Sequence, residues 1–309
     1  MIFQYRHLRT HHSVFLSVTG LKVDEFDEYV EPLMVALSES ERQRLGQKKN
    51  RQRAIGGGRS HELDRRDQFL LTLVWLRLYP TNELLGYLFG VSDSTANRTL
   101  HACLRLMEQQ GRTEMKKSQA HAQRKRGYNL SQIFDKVPGL AVIVDAFEQQ
   151  TERPTKRKEA DKWYSGKTHQ HAIMSQVVVD AYTGEILDIA DSEQGRRQDK
   201  GYFNDSGVVE RLPEDTTWLA DLGYPGLPSD LQRAAIPRKK PRGQERPEED
   251  KAFNTMFSRK RVLVENSIAQ IRSFNALKVR DRHHRRHHTE RVVAVSGIVN
   301  FRKRSRFVY

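Results

Sequence analysis

Three carboxylates stand where the surrounding sequence could bring them together. Asp145 follows the apolar run Val142-Ile143-Val144 and Asp221 follows Trp218-Leu219-Ala220, so each is expected where a short buried strand ends. In a mixed α/β sheet the carboxyl ends of neighbouring strands open on a crevice, and two aspartates there can share a divalent cation. Glu265 belongs to a helical stretch from about Pro247 to Phe274. Its apolar stripe, Phe253, Phe257, Val264, Ile268 and Ile271, advances by four, seven, four and three residues. Glu265 lies beside that stripe, so a helix docked on the sheet can aim its carboxylate toward the crevice. Three hard oxygen donors suit Mg²⁺ or Mn²⁺, which prefer carboxylates, water and substrate phosphate. Two such ions about 4 Å apart supply what phosphodiester cleavage needs: an activated water and neutralised charge on phosphorus and leaving oxygen. An aspartate after a strand is more often a turn or cap residue, and spacing alone leaves that alternative open.

The elements that must position these groups read as strand, hairpin, helix, strand. Leu140 to Val144, Ala172 to Val179 and Glu185 to Ile189 have strand character, with Asp180 to Gly184 as a hairpin turn. A helix is expected around Tyr202 to Leu212, the Asp221 strand follows, and Leu227 to Ala234 reads as a short helix. Ile236 is a possible strand, and Pro237 to Gly243 is a basic loop.

From Asp64 to Gln110 the periodicity is helical, broken at Pro80-Thr81 and Gly90-Val91-Ser92. Pro80 ends the first helix, Thr81 can cap the second, and Ser92 or Asp93 the third. The third helix buries Ala96, Leu100, Cys103, Leu104 and Met107, and leaves Asn97, Arg98, His101 and Arg105 largely outward. Two short helices around a glycine-containing turn, the second with polar side chains free to enter a major groove, are what a helix-turn-helix requires; a plain helical bundle gives the same spacing. Around this unit lie an acidic stretch from Asp24 to Glu31, a basic linker or DNA-facing arm from Arg42 to Arg66 with Gly56-Gly57-Gly58, and a helical or irregular connector from Gly111 to Gly127.

The 309 residues carry 53 Lys and Arg against 39 Asp and Glu, a net charge of +14 that suits a polyanionic partner, with nucleic acid ahead of an anionic membrane surface. The longest apolar stretch, Phe69 to Leu76, is far too short to span a bilayer. The single cysteine, Cys103, cannot make an internal disulfide, and no secretory leader opens the sequence, so a cytoplasmic, nucleoid-associated protein is expected. Lys278 to Arg291 reads as a DNA-facing helix start before a packing segment, Val292 to Val299. Its His283, His284, His287 and His288 have zinc-ligand spacing, but Arg282, Arg285 and Arg286 repel a cation.

Several segments together resemble one family. Val-Asp-Ala-Phe-Glu-Gln (144–149), Tyr-Ser-Gly-Lys (164–167) with His171, Ala-Asp-Leu-Gly-Tyr-Pro-Gly (220–226), Pro-Arg-Lys-Lys-Pro-Arg-Gly (237–243) and Arg-Val-Leu-Val-Glu (261–265) look like DDE transposases of bacterial insertion sequences. The nearest group is the IS-five family, related to PIF/Harbinger elements. The resemblance implies an α/β fold: a ribonuclease-H-like mixed sheet flanked by helices at 128–309, preceded by an all-α helix-turn-helix domain with its connector at 64–127 and an N-terminal segment at 1–63. It puts Asp145, Asp221 and Glu265 at the three catalytic and metal-ligand positions, with two Mg²⁺ or Mn²⁺ ions as cofactors. It implies binding to terminal inverted repeats, hydrolysis at the element's end, attack of the freed 3′-OH on target DNA, and a homodimer or higher oligomer on DNA. The rival readings are a non-catalytic DNA-binding regulator and a nuclease without strand transfer.

Around the third carboxylate the wider pattern is Tyr, two residues, Arg, three residues, Glu, six residues, Lys. Arg261 and Glu265 match it, Arg272 stands for the lysine, and Ser258 replaces the tyrosine. Relatives often carry His-Asp where this chain has Gln198-Asp199. Lys167, Lys239, Lys240, Arg242, Arg261 and Arg272 are the candidate phosphate contacts near the carboxylates, and Asn97, Arg98, His101 and Arg105 those on the recognition helix.

Overall fold

Local capping rules set the helical half. The computed structural model describes residues 2–47, 62–124 and 139–307, so most of the basic arm, with its three glycines, lies outside the described residues. Helices α1 (Tyr5–Leu8), α2 (His12–Thr19) and α3 (Val23–Gly46) precede it, and α4 (Arg65–Leu78), α5 (Asn82–Phe89) and α6 (Asp93–Arg124) follow. Asp64 caps α4 by accepting from the Asp67 amide at 2.7 Å, and Thr81 caps α5 at Leu84. Ser92 accepts from the Thr95 amide at 3.1 Å at the head of α6. Gly90 ends α5 in the left-handed conformation, φ 64°, which a residue with a Cβ adopts at a cost.

The acidic N-terminal segment is helical and contributes Phe15, Phe26, Tyr29 and Leu33 to the same apolar cluster as α4 to α6. Of the two readings of the connector after Gly111, helical or irregular, the helical one holds as far as Arg124, where it continues the third helix. Gly111 is present for packing: a Cβ there would lie 2.3 Å from the Val293 carbonyl oxygen of the C-terminal helix α11 (His288–Phe307). Gly297 answers it from α11, its own added Cβ falling 2.5 Å from the Gly111 Cα.

The sheet comprises β1 (Ala141–Gln150), β2 (Tyr164–Ser165), β3 (Gln170–Asp180), β4 (Ile186–Ile189), β5 (Glu193–Gln194), β6 (Thr217–Ala220) and β7 (Ala234–Ala235). Its order is β2-β3-β1-β6-β7, with β4 and β5 on the far side of β3. β1 pairs antiparallel with β3 and parallel with β6, which pairs parallel with β7. Period-two alternation splits the strands between two cores. Ala141, Ile143, Val177, Val179 and Leu219 pack beneath α10 (Glu248–Ile271), α11 and α6. Val142, Val144, Val178, Trp218 and Ala220 face Phe203 of α8 (Asp199–Asp205) and Leu227 of α9 (Leu227–Asp230).

The α10 stripe behaves as its spacing predicts: Phe257, Val264 and Ile271 are buried, and Phe253 and Ile268 pack against the core. The hairpin also holds, with Asp180 Oδ2 accepting from the Thr183 amide and hydroxyl and Gly184 taking φ 68°. The helices expected at 202–212 and 227–234 are shorter, α8 starting earlier and α9 lasting one turn, and the strand expected at Ile236 falls at Ala234–Ala235. A short helix Arg157–Trp163 (α7) joins β1 to β2, which the sequence reading did not contain. Among the described residues no helix is long and apolar enough to cross a membrane.

Candidate active site

Register brings the two aspartates side by side. Val144 of β1 pairs with Ala220 of β6, so the next residue in each strand is Asp145 or Asp221, on the sheet face shared with Ile143 and Leu219. Asp145 corrects one expectation: it lies mid-strand, because β1 continues along β3 to Gln150, and what ends beside it is β6. It is still at the carboxyl end of the parallel ladder, which is what opens the crevice.

Each aspartate is fixed by one oxygen and offers the other. Asp145 Oδ1 accepts from the Ala146 amide at 2.8 Å, and Asp221 Oδ1 from the Gly223 amide at 2.7 Å. Their Oδ2 atoms both face Arg261 on α10, whose Nη2 is 3.5 Å from Asp145 and 3.9 Å from Asp221. The same nitrogen is 3.6 Å from Glu265 Oε1, one helical turn further on. The structure therefore gathers the three predicted carboxylates about one guanidinium nitrogen. Burial pushes the Asp145 carboxyl above the usual range and the neighbouring Asp221 adds to the rise, against the Ala146 amide, Arg261 and Lys167.

A fourth carboxylate belongs to this group. Asp199 opens α8, and a Cβ on Gly223 would fall 2.6 Å from its Oδ2 and 2.8 Å from Asp221 Oδ1. Burial pushes Asp199 up to about 6, with Asp221, Asp145 and Glu148 adding and Lys167 opposing. In the sequence it was a retained acidic residue with no assigned role; an aspartate in the first turn of a helix has an ordinary explanation in the helix dipole, which hides it.

The donor set fits a hard divalent cation: four carboxylates, with Asp145 and Asp199 held up in proton affinity chiefly by burial, to which the neighbouring carboxylates add. Among the described residues no three Asp, Glu, His or Cys side chains are arranged to clasp an ion as they stand. The central position between Asp145, Asp221 and Glu265 is taken by the guanidinium of Arg261.

The other predicted contacts divide. Lys167, exposed between β2 and β3, lies close enough to act electrostatically on Asp145 and Asp199. Lys239, Lys240 and Arg242 stand exposed on the loop before α10, where Arg238 is the residue held in place, 2.8 Å from Asp250 and over the Phe253 ring. Arg272 is the exposed C-cap of α10, seven residues past Glu265 and so about 10 Å further along the axis. On α6, Arg98 and Arg105 are exposed and Asn97 is half-buried. His101 is half-buried, with its ring 5.5 Å from that of His287. The histidine-rich run is not one helix, since α11 begins only at His288. His288 is buried between Ser192 and Gln149, His287 meets Glu290, and His283 lies against Trp75 and Tyr79.

The family described as DDE superfamily endonuclease matches residues 144–300, and the helix-turn-helix of DDE superfamily endonuclease matches residues 61–113. The "Probable transposase for insertion sequence element IS702" of Microchaete diplosiphon is 28% identical over 244 residues, 79% of this chain and 83% of that protein. The "Putative transposase for insertion sequence element IS112" of Streptomyces albus G is 25% identical over 226 residues, 73% of this chain and 75% of that protein. No solved structure matches the chain.

Proposed function

We propose that this chain, which belongs to the DDE superfamily endonuclease family, is a DNA transposase of an insertion sequence, of the IS-five type related to PIF/Harbinger elements. The observation that carries the reading is the convergence of Asp145, Asp221 and Glu265 on one nitrogen of Arg261. α4 to α6 bind the terminal inverted repeats as a helix-turn-helix, with Arg98 and Arg105 reaching the DNA. The unit described from residue 139 on, whose expected start at 128 lies outside the described residues, is ribonuclease-H-like, a reading supported by the order β2-β3-β1-β6-β7, in which an antiparallel set is extended by parallel strands.

Asp145, Asp221 and Glu265 would hold Mg²⁺ or Mn²⁺, with Asp199 beside them. When bound, two such ions supply an activated water and neutralise charge on the phosphoryl oxygens and leaving group. The chain's own cations bind and orient the DNA: Lys167 and Arg261 stand where they can hold phosphate at the carboxylates, and Lys239, Lys240, Arg242 and Arg272 flank them. Water is the nucleophile in the first step and the freed 3′-OH in the second, so no covalent protein intermediate forms. Two ends brought together require a dimer or higher assembly.

The experiment is a cleavage and joining assay with labelled DNA and Mg²⁺, taking the candidate element ends from the genomic DNA on either side of the reading frame. Cleavage followed by joining is expected. Cleavage alone would make the protein a nuclease, and binding alone a regulator. Asp221→Asn should abolish cleavage and leave DNA binding nearly unchanged; equal loss of both would count against the catalytic assignment.

A further inference from the structure

A second cationic surface lies away from the carboxylates. The chain after β1 and the segment before α11 face each other across a groove of about 780 Å³. Arg153 and Lys156 line one wall, Arg282, Arg285 and Arg286 the other, and Trp163 closes the groove between them. Arg285 is fixed: its guanidinium stacks 4.8 Å over the Trp163 ring and donates to the Glu152 carbonyl oxygen. Arg282 is likewise held over the Tyr79 ring at 4.5 Å. Arg153, Lys156 and Arg286 are exposed.

The groove joins the two functional regions. At its α6 side, His287 follows Arg286 and packs on His101, which lies between Arg98 and Arg105 in the chain. On its other side, Trp163 leads into β2 and so to Lys167, whose charge reaches Asp145 and Asp199. Thr151, on the groove lining, is six residues along β1 from Asp145, a span of about 20 Å at roughly 3.3 Å per residue. A duplex is about as wide as that span, so DNA held on the groove's cations can also reach the carboxylates.

We infer that this groove is a track for the DNA phosphate backbone, carrying the duplex from the helix-turn-helix to the carboxylates through Arg153, Lys156, Arg282, Arg285 and Arg286. The inference rests on the DNA-binding reading above and adds a contact surface that reads no bases. Glu152 and Glu159 also line the groove, but Glu159 is paired with Lys162 at 2.9 Å and Glu152 lies near Arg280 at 3.5 Å. Asp281 is buried against Arg291 at 2.6 Å and presents no free charge to a ligand.

The test is the salt dependence of binding of the full chain to a fluorescent 30-base-pair duplex of random sequence. Each lost phosphate contact lowers the slope of log K against log salt by about 0.9. Arg153→Glu/Lys156→Glu/Arg286→Glu should therefore flatten the slope by about 2 to 3. A charge-matched control, Arg9→Glu/Lys22→Glu/Lys116→Glu, changes exposed residues outside the groove and outside the basic arm, and should leave the slope within about one contact of the native protein. Circular dichroism and thermal unfolding establish that both triples are folded. Should the groove triple not fold, Lys156→Ala and Arg286→Ala singly should each lower the slope by about one contact. Equal slopes for groove variant and native protein, or equal flattening in the control, overturn the track while leaving the DNA-binding reading intact. Failure of the native protein to bind any duplex overturns both.

Discussion

Arg261 Nη2 lies 3.5 Å from Asp145 Oδ2, nearer than to either of the other two carboxylates it faces. The guanidinium thus serves as an internal counter-ion for a cluster whose members would otherwise repel. At these lengths the contacts are ion pairs without good hydrogen-bond geometry, and partly exposed pairs of this kind are each worth only about 0 to 1 kcal/mol. A dication that takes up the same oxygens must move the guanidinium, and DNA phosphate is then its available partner.

Removing Arg261 should therefore have opposite effects on two ligands. Arg261→Ala is expected to bind Mn²⁺ about two- to fivefold more tightly without DNA, one partly exposed ion pair's worth of competition having gone. The same change should weaken duplex binding. Calorimetric titration with Mn²⁺ checks the first and fluorescence anisotropy the second. Unchanged or weaker Mn²⁺ binding would mean that the guanidinium does not compete for the ion.

Gly223 sets how closely Asp199 and Asp221 approach. A Cβ at this position would come 2.6 Å from one carboxylate and 2.8 Å from the other, and the carboxylate ends can turn away more easily than backbone can shift. Gly223→Ala should therefore cost little in thermal stability and about 10- to 100-fold in Mn²⁺ affinity, the range seen when the groups orienting metal ligands are disturbed. Loss of stability with unchanged Mn²⁺ affinity would place Asp199 outside the metal-binding set.

The candidate site was legible in the sequence because each carboxylate follows or flanks an apolar pattern that dictates its direction. Period two carries Asp145 and Asp221 to one face, and the α10 stripe carries Glu265 to the crevice. Arg261 was read as a phosphate contact; its place among the carboxylates was not, since it depends on how far α10 slides over the sheet, which side-chain period does not encode. The role of Gly111 was hidden in the same way. Its segment could be read as helical or irregular, and only the approach of α11 reveals why a helix keeps a glycine there. The packing of His101 on His287 joins residues far apart in sequence, so helical periodicity could only report that His101 was off the core face.

His283 makes stability depend on pH with a definite sign. Burial and Arg291 lower its pKa from 6.5 to about 4, with Asp281 opposing. The unfolded chain then takes up a proton before the folded one, so the stabilising contribution is complete above pH 6.5 and is lost as pH falls toward 4. His283→Phe keeps an aromatic ring against Trp75 and Tyr79 but cannot titrate. Urea unfolding at pH 7.5 and at pH 5 should show the native protein losing more stability than the variant. Parallel losses would show that His283 titrates alike in both states.

The crossing of α6 and α11 at Gly111 and Gly297 fixes the proposed DNA-reading helix to the catalytic unit. In an ordinary helix interior, Gly→Ala stabilises by about 1 kcal/mol. Here the added methyl of Gly111→Ala would stand 2.3 Å from the Val293 carbonyl oxygen, a backbone atom that cannot rotate aside, so the two helices must separate. Overpacking of this kind costs about 1 to 3 kcal/mol, enough to cancel or outweigh the propensity gain. Gly111→Ala is therefore expected to lower the thermal midpoint. Gly46→Ala, at the end of α3 with nothing within 4 Å of the added Cβ, should leave it unchanged or raise it. Separating the helices also moves the recognition residues relative to the carboxylates, so cleavage of element-end DNA should fall more than binding of a short duplex. A Gly111→Ala protein more stable than the native one, with full cleavage, would mean that the two helices tolerate a wider spacing and that no rigid link joins reading to cutting.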